Sequence, residues 1–95
     1  MKIKDYKESD IRKTILTKAK PVRINKGGKH WKGYIVIGDT TVAKVKIPND
    51  HPRIMHQDKS KYIARDLKLS YKDFNLLNDC PMTRTKYYKK LAKYS

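Results

Sequence analysis

Apolar residues change their spacing several times along this chain, and each change marks an element. Ile11, Ile15, Leu16 and Ala19 fall at helical intervals. They follow Ser9, which has an N-cap side chain, and Asp10, whose charge suits a first helical turn. Pro21 stops that helix. The period then drops to two. "VRI" at 22–24 predicts a short strand, and after the Gly27–Gly28 loop "HWKGYIVIGDTTVAKVKIP" predicts two strands around a tight turn.

The register of that hairpin follows from keeping its faces unmixed. With Gly38, Asp39 and Thr40 as a three-residue loop, Ile37 faces Thr41, Ile35 faces Ala43, Gly33 faces Val45 and Trp31 faces Ile47, all on one apolar face. The other face then carries His30, Lys32, Tyr34, Lys44 and Lys46, with Val36 and Val42 near the turn. A four-residue loop would set Lys44 against Ile35 and Lys32 against Ile47. The three-residue loop is therefore the expected one, and it turns His30 away from the core.

Residues 49–59 have no usable period and are rich in turn formers, so they predict a loop. From about Ser60 a helical stripe returns with Ile63, Ala64 and Leu67, ending at Leu69. Ser70 caps a following helix, with Asp73 in the capping-box position and Phe74, Leu76 and Leu77 as its apolar residues. Asn78 to Pro81 break it, and Thr83 caps a last helix that places Tyr87, Leu91 and Tyr94 on one stripe. The expected fold is α+β, in the order α-β-β-β-α, with a three-stranded antiparallel sheet, helices on one face and extra C-terminal helices. Ninety-five residues with 38% hydrophobic content suit a single domain over 1–95.

Charge narrows the function. A formal net charge of +15 gives the folded surface a strong positive potential, whose natural partner is a polyanion, nucleic acid above all. No run reaches the roughly 18 apolar residues of a membrane span, and "MKIKDYKESD" has no signal-like apolar stretch. A cytoplasmic protein without a membrane partner is expected. The single cysteine, Cys80, lies beside Asp79, which disfavours its thiolate, and it is read as structural. His51 and His56 sit in a loop without metal-ligand spacing, so neither a metal nor another cofactor is expected. "KGGK" lacks the spacing of a phosphate loop, yet its two glycines allow close backbone approach to an anion. "IARDLKLSYKDFNLL" has helix-turn-helix spacing, but its second helix carries two aspartates and one lysine, a poor surface to bring against phosphates.

A helix, then a G-x-H element opening a hairpin ("GKHWKGYIV"), then a strand ending in "KIP" with a histidine soon after, then the helix "YIARDLKL" resembles the HicA family of toxin mRNA interferases over residues 9–69. Residues 70–95 form a helical C-terminal extension to that HicA-like core, the 49–59 loop is longer than in a compact member, and Lys29 stands where the family's serine commonly precedes the histidine. The resemblance implies a double-stranded-RNA-binding-domain-like fold, metal-independent endoribonuclease activity and a HicB-like antitoxin partner. It places the catalytic role on His30. An imidazole titrates near neutrality, so it can take the proton of an RNA 2′-hydroxyl or give one to the leaving 5′-oxygen. Around it, Gly27, Gly28 and Lys29 would hold the phosphate, Lys32, Lys44 and Lys46 would track the RNA backbone, and Tyr34 would stack a base. Trp31 is assigned to packing, and His51 is a secondary catalytic candidate. Two alternatives stand beside this reading: a non-catalytic nucleic-acid-binding module, and a DNA-binding regulator using Ile63 to Leu77.

Overall fold

The computed structural model describes residues 2–27, 31–79 and 82–92. Helix α1 spans Glu8–Thr14 and continues as a wider turn, Ile15–Ala19, in which the Lys20 N–H reaches back five residues to the Ile15 carbonyl at 2.8 Å. The helix starts before Ser9. Lys7 holds the cap position with no side-chain cap, and the open amides of the first turn are taken by a distant loop instead. The Glu8 N–H donates to the Arg53 carbonyl and the Ser9 N–H to the His51 carbonyl, each at 2.9 Å. Residues 49–56 are thereby tied down, and Lys7 and Ile54 form an isolated antiparallel bridge.

The sheet has the order β1-β2-β3, all antiparallel, with β1 at Arg23–Asn25, β2 at Trp31–Ile37 and β3 at Thr40–Ile47. The first strand begins one residue later than expected, and Val22 is exposed. From Trp31↔Ile47 to Ile35↔Ala43 the hairpin has the expected register. Nearer the turn it differs: Val36 pairs with Thr41 and Ile37 with Thr40, with a bulge between Ile35 and Val36. The loop is therefore two residues, Gly38 and Asp39, and not three. Gly38 takes φ 60° while Asp39 stays on the negative side, the pattern of a type II′ turn, whose twist matches that of the strands. A two-residue loop plus one bulged residue has the same span as a three-residue loop. The bulge also turns Val42 into the core, where it is 6% exposed, against its expected place on the outer face.

Helix α2 spans Gln57–Asp66 and starts earlier than its apolar stripe, because the His56 side chain caps it by accepting the Asp58 N–H at 3.2 Å. Helix α3, Tyr71–Asn78, and helix α4, Arg84–Leu91, begin at the expected caps: Ser70 Oγ accepts from the Asp73 N–H at 3.1 Å, and Thr83 Oγ1 from the Lys86 N–H at 3.3 Å. Between α2 and α3 the chain reverses through Lys68, at φ 62°. The Leu69 N–H bonds the Ala64 carbonyl and the Lys68 N–H the Arg65 carbonyl, each at 3.0 Å. This is a Schellman closure made without glycine, and the buried Leu69 supplies its apolar contact.

One buried cluster joins all these elements. It includes Ile11, Ile15 and Ala19 of the first helix, Ile35, Val45 and Ile47 of the sheet, and Leu67, Phe74, Leu77, Tyr87 and Leu91 behind them. The C-terminal helices thus share the core of residues 9–69, and the Tyr87 hydroxyl donates to the Leu67 carbonyl at 2.9 Å. The N-terminal residues are held by Asn75 of α3. Its Nδ2 donates to the Lys2 carbonyl at 2.9 Å, and its Oδ1 accepts the Lys4 N–H at 3.0 Å. The result is an α+β fold with its helices packed on the apolar face of the sheet.

Candidate nucleic-acid interface

The alternation that buries Gly33, Ile35, Ala43, Val45 and Ile47 sends their neighbours to the opposite side of the sheet. There Arg23, Asn25, Lys44 and Lys46 are exposed, and Lys32 and Tyr34 are half-buried. The register arranges them in two rows across the strands. Arg23 pairs with Tyr34, which pairs with Lys44; Asn25 pairs with Lys32, which pairs with Lys46. The rows are two residues apart along each strand, or about 7 Å, and neighbouring positions within a row are about 5 Å apart.

The first row is a cation–aromatic stack. The Arg23 guanidinium lies 4.7 Å from the Tyr34 ring centroid and the Lys44 ammonium 5.8 Å from it. Such contacts contribute about 0.5–1 kcal/mol each at exposed sites and hold the flexible cations near the ring. Arg23 was not among the residues singled out from sequence. Its signal is present in "VRI", where an inward Ile24 leaves the arginine outward, but the sequence assigns the strand no register.

Among the eight residues proposed from sequence, Lys32, Tyr34, Lys44 and Lys46 share this face. Gly27 lies in the loop after β1, and its N–H donates to Asn25 Oδ1 at 2.9 Å, so in this structure the amide is engaged within the loop. Gly28, Lys29 and His30 lie outside the described residues, as does Cys80. Trp31 packs against the core as expected, and its ring is also approached by Arg12 at 4.5 Å and Lys26 at 4.7 Å. His51 is exposed and anchored by its carbonyl to the start of α1. His56 has a structural task as the cap of α2.

Charge is distributed unequally. Residues 11–49, which hold α1 from its second turn and the whole sheet, contain ten Lys and Arg and one acid, Asp39; the remainder contains fourteen and eight. The three Lys or Arg ion pairs among the described residues, Lys4–Asp79, Arg53–Glu8 and Lys90–Asp73, lie outside that segment. The Lys4 ammonium, donating to Asp79, holds that carboxyl below its ordinary range against a partial opposing effect of burial. The neighbouring Tyr6 hydroxyl is pushed up, first by burial and then by donating to Asp79 at 3.0 Å.

Helix α3 is enclosed. It packs against α1 and α2, Asp73 pairs with Lys90 of α4 at 3.2 Å, Asn75 holds the N-terminal residues, and the Leu77 carbonyl accepts from Lys18 at 2.6 Å. That leaves Tyr71 and Lys72 as its exposed residues near the N-terminus, too small a surface to read a major groove. Among the described residues no group of three or more His, Cys, Asp or Glu side chains is arranged to hold a metal, and no helix is long and apolar enough to cross a membrane. No family model matches the chain, and neither the curated proteins nor the solved structures contain a match to it.

Proposed function

We propose that this protein binds RNA through the uncovered face of its sheet. The observation that carries the reading is the double row Arg23–Tyr34–Lys44 and Asn25–Lys32–Lys46, four cations and an aromatic ring with no acid among them. Cations on a flat, pleated surface attract successive phosphates without reading sequence, and an aromatic ring between them offers a base a stacking surface. A +15 chain that served solubility alone would need no such concentration of cations over one acid in residues 11–49.

The test is the salt dependence of affinity for a labelled RNA. Removing one phosphate contact flattens the slope of log affinity against log salt by about 0.7 to 0.9. Lys32→Ala, Lys44→Ala and Lys46→Ala are expected to do so, and to weaken binding more than Lys2→Ala, Lys4→Ala or Lys7→Ala. Equal effects at the two sets would remove the sheet face as the site.

Cleavage is the second part of the proposal. His30 immediately precedes β2, matches the histidine of the HicA-like element and is followed two residues later by Lys32 on the outer face. As acid–base group it would act on the RNA 2′-hydroxyl, making this a metal-independent endoribonuclease of the kind neutralised by an antitoxin. His30→Ala is then expected to lower cleavage of single-stranded RNA by about 10² to 10⁴ with binding nearly intact, and a deoxyribose at the scissile position should block cleavage. RNA that is bound but left uncut at pH 6 to 8, roughly one unit either side of neutrality, would leave the binding module as the function.

A further inference from the structure

Lys46 has a second neighbourhood. Beyond its row on the sheet it lines a cleft of about 450 Å³ between the end of β3 and helix α2. The volume lies in the range of small-ligand sites. Ile47, Met55 and Ile63, all buried, contribute the apolar part of the lining, and Asn49, Lys59, Tyr62, Arg65 and Asp66 contribute the polar part. Tyr62 is 57% exposed, and the Arg65 guanidinium lies 5.0 Å from its centroid. Among the described residues Lys46, Lys59 and Asp66 have no ion pair, whereas the second carboxylate of the lining, buried Glu8, is held by Arg53.

We infer that this cleft receives one nucleotide of a single strand as the strand leaves the sheet face over Lys46, the base stacking on Tyr62 and the phosphate lying between Lys46 and Lys59. The inference rests on the RNA-binding reading above and specifies its substrate as unpaired. An exposed tyrosine backed by an arginine is a stacking platform that any base can use. Two unpaired ammonium groups supply the anion site, and Asn49 and Asp66 supply acceptors for base amino groups or a sugar hydroxyl. In a duplex the bases are stacked inside, so a paired strand has nothing to offer Tyr62.

Adenosine 5′-monophosphate and a short single-stranded RNA are the probes, with Tyr62→Ala as the cleft variant and Lys32→Ala/Lys44→Ala as the sheet variant. Tyr62 is exposed, so its truncation leaves the core intact. The largest amide shifts on addition of the mononucleotide are expected at Asn49, Tyr62 and Arg65, and Tyr62→Ala should weaken its binding by about 5- to 160-fold, the stacking contribution of one base. The sheet variant should leave mononucleotide binding unchanged while weakening the single-stranded RNA, and Tyr62→Ala should not alter affinity for a blunt RNA duplex. Shifts spread evenly over the surface lysines, or unchanged affinity in Tyr62→Ala, would overturn the cleft even if the sheet variant loses RNA. If the mononucleotide shifts the cleft but the sheet variant binds RNA like wild type, the sheet reading fails and the cleft stands.

Discussion

Gly33 lies at the centre of the sheet, on β2 between Ile24 and Val45, with its core-side space filled by Pro21. A Cβ built at Gly33 would lie 2.7 Å from Pro21 Cγ, 3.0 Å from Pro21 Cβ and 3.3 Å from Ile47 Cδ1. The first distance is shorter than carbon atoms tolerate, and a proline ring cannot swing aside as a long side chain does. Gly33→Ala must therefore displace the segment leading into β1. Overpacking of this kind costs about 1–3 kcal/mol. For a domain of this size that lowers Tm by about 4–8 °C per kcal/mol, which thermal unfolding followed by circular dichroism resolves easily.

The same displacement has a functional consequence, because Pro21 sits two residues before Arg23. Moving β1 separates the Arg23 guanidinium from Tyr34, and RNA binding should lose part of the first row's contribution. Pro21→Gly in the Gly33→Ala background removes both close contacts, so in a double-mutant cycle the penalty of the alanine should largely vanish. A Gly33→Ala protein within about 0.5 kcal/mol of wild type, or one whose penalty persists without the proline ring, would refute the packing explanation.

Lys68→Gly should stabilise the fold by about 1 kcal/mol in urea unfolding, since Lys68 holds a left-handed φ of 62° that glycine adopts without a side-chain penalty. Asn75→Ala should destabilise it by about 1–3 kcal/mol, because the Lys2 carbonyl and Lys4 N–H both lose their partner; hydrogen exchange should then show the N-terminal residues opening first. Asp79 has a lowered pKa in the folded state, so its contribution is present above the unfolded value and lost as pH falls through the folded one. Asp79→Asn should therefore flatten the loss of stability in that acid window and leave neutral-pH behaviour of RNA binding unchanged.

Much of this architecture was legible because alternation in "WKGYI" and "AKVKI" allows only one unmixed pairing. Lys32, Tyr34, Lys44 and Lys46 follow from that pairing directly. The sequence signal failed where two local solutions share one residue count. Gly38–Asp39 with a bulge and Gly38–Thr40 without one both set Ile35 against Ala43, and they differ only nearer the turn, in the partners of Val36 and Ile37 and in the burial of Val42. The start of α1 was illegible for another reason: its amides are satisfied by the carbonyls of His51 and Arg53, more than forty residues away, and backbone carbonyls carry no sequence signature. His56 as a cap and Lys68 in a left-handed turn break the usual residue preferences, so propensity pointed elsewhere. The cleft beside Lys46 depends on the packing of α2 along β3, which no local pattern specifies.

The proposal that the sheet face binds RNA as a site, and not merely as part of a positive particle, can be tested by moving charge without changing it. Lys44 and Thr85 are both exposed, the first in the row with Tyr34 and the second on α4. Lys44→Thr with Thr85→Lys keeps the net charge at +15 and leaves the core untouched. Long-range attraction depends on total charge, so at low salt, where the screening length exceeds the ~10 Å of 0.1 M, a field effect should survive the exchange. A local phosphate contact should not survive it. The expected outcome is an affinity and a salt slope equal to those of Lys44→Thr alone, with the added lysine on α4 restoring neither. Recovery of wild-type affinity in the exchanged protein would mean that the rows across the sheet have no special role, and that the protein's hold on RNA is a property of its overall charge.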